Sequence, residues 1–86
     1  MAANVRVYTT SFCAYCVRAK RLLHEKGVEF EEVDVSRDTA AREWLVQATG
    51  GMRTVPVIFV GERCVGGFDE LYALDRSGDL DPLLSA

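Results

Sequence analysis

Short runs of alternating or dense apolar residues predict four β-strands. The runs are Asn4–Tyr8, Glu29–Val35, Val57–Val60 and Arg63–Val65. Only Gly61-Glu62 separates the last two, and glycine at the first position of a two-residue loop suits a type II′ turn. We therefore predict that these two strands form a hairpin.

Three longer stretches have apolar residues at the spacing of an amphipathic helix. They are Ala14–Lys26, a stretch capped by Ser36 or Asp38 that runs to about Ala48, and a stretch from Phe68 to about Arg76. The residues expected to face the core are Cys16, Ala19, Leu22 and Leu23; Ala41, Trp44, Leu45 and Ala48; and Phe68, Leu71 and Tyr72. Gly27 and Gly78 suit helix ends, and the tail Leu80–Leu84 is expected to add a last turn.

The predicted order of elements is β-α-β-α-β-β-α, which indicates an α/β fold. A helix joins the first two strands, so we expect them to be parallel, with a right-handed crossover. Combined with the hairpin, this predicts a mixed four-stranded sheet with helices on both faces. The 86 residues are expected to form a single domain, residues 1–86.

Composition and charge exclude several classes of partner. The formal net charge is −3, which argues against a protein that binds nucleic acid through electrostatics. No apolar run approaches the length that crosses a membrane, and the first residues lack the pattern of a secretion signal. We therefore expect a cytoplasmic protein without a membrane partner.

The chain has three cysteines, and two of them, Cys13 and Cys16, have the C-x-x-C spacing of redox or metal sites. Cys13 falls where the first strand ends and the first helix begins, and the free N–H groups of a helix start stabilise a thiolate. Cys16 lies one turn further along, on the core face. Zinc is the less favoured alternative because Cys64 and His24, the remaining candidates, do not form a second ligand pair.

Three separated blocks of the chain resemble the glutaredoxin family. They are Tyr8-Thr9 with Cys13-Ala14-Tyr15-Cys16, the stretch Arg53–Val60, and the stretch Gly66–Leu71. Arg18-Ala19-Lys20 and the tail Leu80–Leu84 also match bacterial members. The resemblance implies a thioredoxin-like fold and a monomeric, glutathione-dependent thiol–disulfide oxidoreductase that reduces glutathione mixed disulfides and protein disulfides.

The resemblance also implies roles for particular residues. Cys13 would be the nucleophile, and Cys16 would resolve its mixed disulfides with protein substrates. A cis peptide at Val55-Pro56 would face the cysteines. The residues implied to bind glutathione are Tyr15, Arg42, Arg53, Thr54, Val55, Pro56, Gly67, Phe68 and Asp69. Judged from the residues alone, Pro56 would instead begin an edge strand and Asp69 would be an ordinary acid in the first turn of a helix.

Two positions depart from the family pattern. Thr10 stands where many relatives have a lysine, and Ala14 stands where the usual motif has proline. Members with a small residue at the second position include some that bridge a [2Fe-2S] cluster between two subunits through the first cysteine and glutathione. A dimeric cluster carrier or sensor, with Cys13 as ligand, is therefore the alternative function, and a donor reduced by thioredoxin reductase is a third. Cys64 is expected to face outward and to be incidental.

Overall fold

The computed structural model describes residues 4–85, so residues 1–3 and 86 of the predicted domain lie outside the described residues. The elements are β1 (Val5–Thr9), α1 (Ala14–Glu25), β2 (Glu31–Asp34), α2 (Thr39–Ala48), β3 (Val57–Val60), β4 (Arg63–Gly66), α3 (Phe68–Ser77) and α4 (Leu80–Leu84). Every predicted strand and helix is present, and the tail forms α4. Within residues 4–85, no helix is long and apolar enough to cross a membrane.

The sheet is mixed, with the strand order β2-β1-β3-β4. β1 pairs in parallel with β2 across the α1 crossover, whereas β3 is antiparallel to both β1 and β4. The predicted hairpin places Val60 opposite Arg63. Positive φ occurs at Gly61 (61°) and not at Glu62, which is the pattern of a type II′ turn. The predicted topology is therefore confirmed.

Two apolar clusters lie on opposite faces of the sheet, because side chains alternate along each strand. One face packs against α1, α3 and α4, and the fully buried Leu23 and Leu71 lie at its centre. The other face packs against α2, mainly through Leu45. α1 and α3 are thus anchored to the same side of the sheet, and this fixes the relative position of their N-termini.

The prediction that Trp44 and Tyr72 are core residues is wrong. Trp44 is 47% exposed and lies at the rim, tilted against the rings of Tyr8 and Phe59 at 5.8 and 6.0 Å. Tyr72 is 46% exposed and stacks on Phe68 at 5.8 Å. Ala48, at the end of α2, is exposed as well. The apolar stripe of each helix is wider than the strip of sheet it covers, so residues at the edge of the stripe keep one side in water.

The prediction that Cys64 faces outward is also wrong. Val65 packs against the cluster under α1 and α3, as expected. The opposite face of β4, however, is not exposed to solvent. Cys64 packs against the cluster under α2, because both faces of this sheet carry helices. Partial burial raises the pKa of Cys64, so its thiol is protonated at neutral pH.

Candidate active site

Cys13 is the N-cap residue of α1, with its backbone in an extended conformation. The Cys13 Sγ atom accepts a hydrogen bond from the Cys16 N–H at 3.1 Å. The first N–H groups of a helix have no partner within the helix, and together they attract negative charge. The side chain is partly exposed. The sulfur is therefore accessible and lies where a helix start favours a thiolate.

The loop before Cys13 is tied to the end of β2. The Ser11 N–H donates to Ser36 Oγ at 2.7 Å, and the Ser36 N–H donates to the Asp34 carboxylate at 2.8 Å. Between this anchor and α1, Phe12 has a φ of 61°, which is unusual for a residue with a side chain, and its ring is fully exposed. This loop geometry could not be predicted from the sequence, because nothing in the pattern around Phe12 signals positive φ.

Cys16 is buried, with 1% of its surface exposed. Burial, together with the neighbouring Cys13 sulfur, raises the pKa of Cys16 to about 12. The backbone of Thr10 and the charge of Lys20 act in the opposite direction. The two cysteines thus differ in exposure as the helical stripe predicted, and the Cys16 thiol is protonated at neutral pH.

The Val55-Pro56 peptide is cis and lies beside the nucleophile candidate. The Cys13 Sγ is 3.7 Å from the carbonyl oxygen of Val55, to which the thiol can donate. Pro56 immediately precedes β3, which pairs on both sides and is a central strand. The alternative that Pro56 begins an edge strand is therefore wrong, and the cis peptide implied by the resemblance is confirmed.

A groove of about 390 Å³ runs from this peptide to the N-terminus of α3, and its volume is in the range of small-molecule sites. We call it the Pro56 groove. Its lining residues are Tyr15, Met52, Thr54, Val55, Pro56, Gly67, Phe68, Asp69 and Glu70. Seven of them were among the residues implied to bind glutathione. Met52 and Glu70 were not: Met52 lies just outside the matching blocks, and Glu70 lies within the Gly66–Leu71 block without an implied role.

The N-terminus of α3 is fitted closely to the Pro56 loop. Gly67 is its N-cap, and a Cβ there would lie 3.5 Å from the Pro56 carbonyl oxygen. Gly66 has a φ of 115°, and a Cβ on it would meet the Glu70 carboxylate at 2.8 Å. Glu70 in turn accepts a hydrogen bond from the Gly67 N–H at 3.1 Å. A Cβ at Gly67 would therefore make only an ordinary contact, whereas Gly66 needs its glycine both for its φ and for the space that Glu70 occupies; Glu70 in turn fixes the start of the helix.

Arg42 and Arg53 line a second groove, which adjoins the first at Thr54 and Val55. Arg42 comes from α2, and Arg53 comes from the loop that precedes the cis peptide. Val55 thus lines both a groove that contains two arginines together with Glu43 and a groove that contains the N-terminus of α3. Arginine side chains and a helix N-terminus attract anions, and Val55 itself contacts Cys13.

A third groove, which we call the side groove, is lined by Cys13 itself, whereas the other two grooves reach Cys13 only through its neighbour Val55. Its lining residues are Thr10, Ser11, Phe12, Cys13, Ala14, Cys16, Val17, Lys20, Glu32 and Asp34. The Lys20 Nζ atom contacts a Glu32 carboxylate oxygen at 2.9 Å, and Thr9 Oγ1 donates to the same oxygen at 2.8 Å. These hydrogen bonds, first that of Lys20, hold the pKa of Glu32 below its ordinary value.

Comparisons with known proteins agree on one family. The glutaredoxin family model matches residues 5–65. Glutaredoxin 3 of Escherichia coli K12 is 50% identical over 82 residues, which cover 95% of this chain and 98% of that protein. The crystal structure of a buckwheat glutaredoxin–glutathione complex superposes with a TM-score of 0.88 at 32% identity, covering 95% of this chain and 76% of the other. The solution structure of glutaredoxin from Brucella melitensis gives a TM-score of 0.87 at 45% identity, covering 98% and 90%.

Proposed function

The chain belongs to the glutaredoxin family, whose members are thiol–disulfide oxidoreductases, and we propose that it uses glutathione to reduce glutathione mixed disulfides and protein disulfides. One observation supports this most directly. The Cys13 sulfur, at the start of α1, lies 3.7 Å from the carbonyl oxygen of Val55, and Val55 lines both the Pro56 groove and the groove of the two arginines.

We propose that glutathione lies along the Val55 backbone, with its sulfur at Cys13. The N–H and C=O groups of Val55 can pair with the extended tripeptide as in a β-ladder. The N-terminus of α3 at Phe68 would receive the γ-glutamyl carboxylate, and the Asp69 side chain would pair with the α-ammonium group. The buckwheat relative, whose structure contains glutathione, supports the choice of ligand.

Further side chains would contact glutathione near Cys13 and at its glycine end. Tyr15, which is 54% exposed, forms a wall of the Pro56 groove near Cys13. Arg42 and Arg53 are both available for the glycine carboxylate, and they take the role that a lysine at Thr10 plays in many relatives. Thr10 itself lines the side groove. Because Thr10 carries no charge, this path leaves the glycine carboxylate to Arg42 and Arg53.

The one-cysteine route needs Cys13 alone. The Cys13 thiolate attacks the glutathione sulfur of a mixed disulfide, and the substrate leaves as a thiolate that takes up a proton. Cys13 then carries glutathione as a new mixed disulfide. A second glutathione thiolate attacks this bound sulfur, which releases glutathione disulfide and restores Cys13. Two glutathione thiols are thus oxidised for each disulfide reduced.

The two-cysteine route serves protein disulfides. Cys13 attacks first and is joined to the substrate, and Cys16 then attacks the Cys13 sulfur. The Cys16 side chain is in hydrogen-bond contact with the Cys13 side chain, so the second thiol is already adjacent to its target. The products are the reduced substrate and an oxidised Cys13–Cys16 pair, which glutathione reduces again.

The test is turnover of a small glutathione mixed disulfide with glutathione as reductant. We expect Cys13→Ser to be inactive and Cys16→Ser to keep its activity, because the one-cysteine route does not use Cys16. Cys64→Ser is the matched control and should behave as wild type. Activity in the Cys13→Ser variant would overturn the proposal, and complete loss in Cys16→Ser would overturn the one-cysteine route.

The alternative of a [2Fe-2S] carrier rests on the surroundings of the same sulfur. Ala14 in place of proline leaves one more N–H at the helix start, and the Cys13 sulfur faces open grooves. Among residues 4–85 there is no group of three or more His, Cys, Asp or Glu side chains that could hold a metal. A cluster would therefore need ligands from glutathione and from a second copy of the chain.

A further inference from the structure

The side groove contains a charge pair that the glutathione path does not use. Lys20 and Glu32 line it together with both cysteines of the C-x-x-C pair. Cys16 and Lys20 are four residues apart on α1, so they lie on the same face of the helix. The charge of Lys20 acts on the sulfur of Cys16, which is 1% exposed and whose other polar neighbours are the Cys13 side chain and the Thr10 backbone.

The pair is held in place from two elements. Glu32 lies on β2, and its carboxylate accepts from Lys20 at 2.9 Å and from Thr9 at 2.8 Å. Thr9 lies at the end of β1 and is 1% exposed, so the Glu32 side chain has a buried anchor. Lys20 is consequently tethered to the sheet beside Cys16, unlike an exposed lysine with a free side chain.

We propose that the Lys20–Glu32 pair sets the rate at which Cys16 resolves a mixed disulfide on Cys13. Lys20 stabilises the negative charge on the attacking Cys16 sulfur, and Glu32 positions Lys20 while partly offsetting its field. Both are positioning residues for the resolving step, and the inference rests on the two-cysteine route proposed above. Cys13 itself and Asp34, whose charge also interacts with Lys20 and Glu32, are the other ionisable groups that line the groove.

In the resolving step, Cys16 displaces the substrate from Cys13. The Cys16 thiol gives its proton to water in the side groove, and its sulfur forms a bond with the Cys13 sulfur. The bond between Cys13 and the substrate breaks, and the electron pair leaves with the substrate sulfur, which takes up a proton. The substrate disulfide is thereby reduced, and the two cysteines are oxidised to a disulfide.

The effect of Lys20 on Cys16 depends on whether Cys13 has already attacked the substrate disulfide. While Cys13 is a free thiolate, its charge and its contact with Cys16 oppose a second negative charge nearby. Once Cys13 is part of a mixed disulfide, that opposition ends, whereas Lys20 and the Thr10 backbone remain. Lys20 therefore acts on the resolving step and has no comparable effect on the one-cysteine route.

The experiment follows single turnover. The fully reduced chain is mixed with glutathione disulfide, quenched with acid at intervals, and analysed by mass spectrometry for the Cys13–glutathione intermediate and the Cys13–Cys16 disulfide. Lys20→Met is expected to slow decay of the intermediate about threefold, a modest change because the groove is open to water. Lys20→Arg should restore the wild-type rate, and Arg21→Met, an exposed charge on the same helix, should leave it unchanged.

Glu32→Gln gives the sharper result, because it keeps the hydrogen bonds but removes the negative charge. We expect it to speed decay of the intermediate, the opposite of Lys20→Met, while Glu31→Gln on the same strand has no effect. A structural role would slow the step in both variants. In a Cys16→Ser background, Lys20→Met should leave glutathione turnover unchanged.

Two results would overturn the inference. One is decay at the wild-type rate in both Lys20→Met and Glu32→Gln, and the other is slowing of both by the same factor. If Lys20→Met does not fold, Lys20→Arg and Glu32→Gln still provide the comparison. A wild-type chain that forms neither the Cys13–glutathione intermediate nor the Cys13–Cys16 disulfide would instead overturn the proposed function, and the inference with it.

Discussion

Alkylation by iodoacetamide separates the three thiols of the reduced chain, because only thiolates react. Cys13 is partly exposed at a helix start, Cys16 is buried against the core, and Cys64 packs beneath α2. At neutral pH we expect Cys13 to be modified first, Cys64 later and Cys16 last.

The size of the expected decrease in the alkylation rate of Cys16 follows from the surroundings of this residue. Burial and the adjacent Cys13 raise the pKa of Cys16 from 9.0 to about 12. Each pKa unit is a tenfold change in the ratio of thiolate to thiol, so the thiolate fraction of Cys16 at pH 7 is roughly a thousandfold below that of an ordinary cysteine. Its 1% exposure limits access of the reagent further.

The assay is a time course at pH 7, quenched and digested, with each cysteine-containing peptide quantified by mass spectrometry. The control is the same reaction in denaturing urea, where the three rates should become similar because the folded surroundings are gone. Modification of Cys16 as fast as Cys13 in the folded chain, or of Cys64 before Cys13, would refute the reasoning.

Further predictions concern stability, binding and the alternative function. Leu71→Ala should lower the free energy of unfolding by about 3 kcal/mol in urea titrations, since its fully buried side chain anchors α3; a loss below about 1 kcal/mol would contradict that packing. Arg42→Met should raise the KM for glutathione about fivefold if its guanidinium meets the glycine carboxylate, and an effect seen only in Arg53→Met would assign the contact to Arg53 instead. The pKa of Glu32 is lowered in the folded chain, so the stability it contributes is complete above its ordinary pKa of 4.5 and is lost as the pH falls through the lower folded value. Urea midpoints should therefore drop more steeply below about pH 4.5 in wild type than in Glu32→Gln, and parallel curves would count against the ion pair. Anaerobic reconstitution with iron, sulfide and glutathione should leave a colourless monomer, whereas a brown dimer that Cys13→Ser abolishes would support the cluster carrier.

The order of elements and the place of Cys13 could be predicted from the sequence because both depend on local pattern. The alternation of apolar residues in β1 and their helical periodicity in α1 are visible in short stretches of sequence. Cys13 lies where β1 leads into α1. The strand and helix bounds differ from the prediction by no more than two residues at most ends. The stripe containing Ala19 and Leu23 also identified Cys16 correctly as the buried cysteine.

Residues at the edges of packed surfaces could not be predicted in this way. Trp44 has the period of a core residue, but whether it lies under or beside the sheet depends on the width of the sheet at α2. Cys64 faces a second covered surface, which strand alternation alone does not distinguish from solvent. Both outcomes depend on tertiary packing rather than on the local sequence.

The same distinction between local pattern and tertiary contact applies to the candidate site. The cis peptide at Val55-Pro56 was available only through the family resemblance, because the residues alone favoured an edge strand. The contact of Lys20 with Glu32 joins α1 to β2, so no residue spacing in the sequence predicts it. Met52, which borders two grooves, belongs to no motif and was missed for the same reason.

The central claim is that Cys13 forms a mixed disulfide with glutathione. The most direct measurement treats the reduced Cys16→Ser variant with glutathione disulfide and determines the intact mass and the modified peptide by mass spectrometry. The account predicts one glutathione per chain, on the peptide that contains Cys13. A chain that stays unmodified, or one that carries glutathione on Cys64 with Cys13 free, would contradict it.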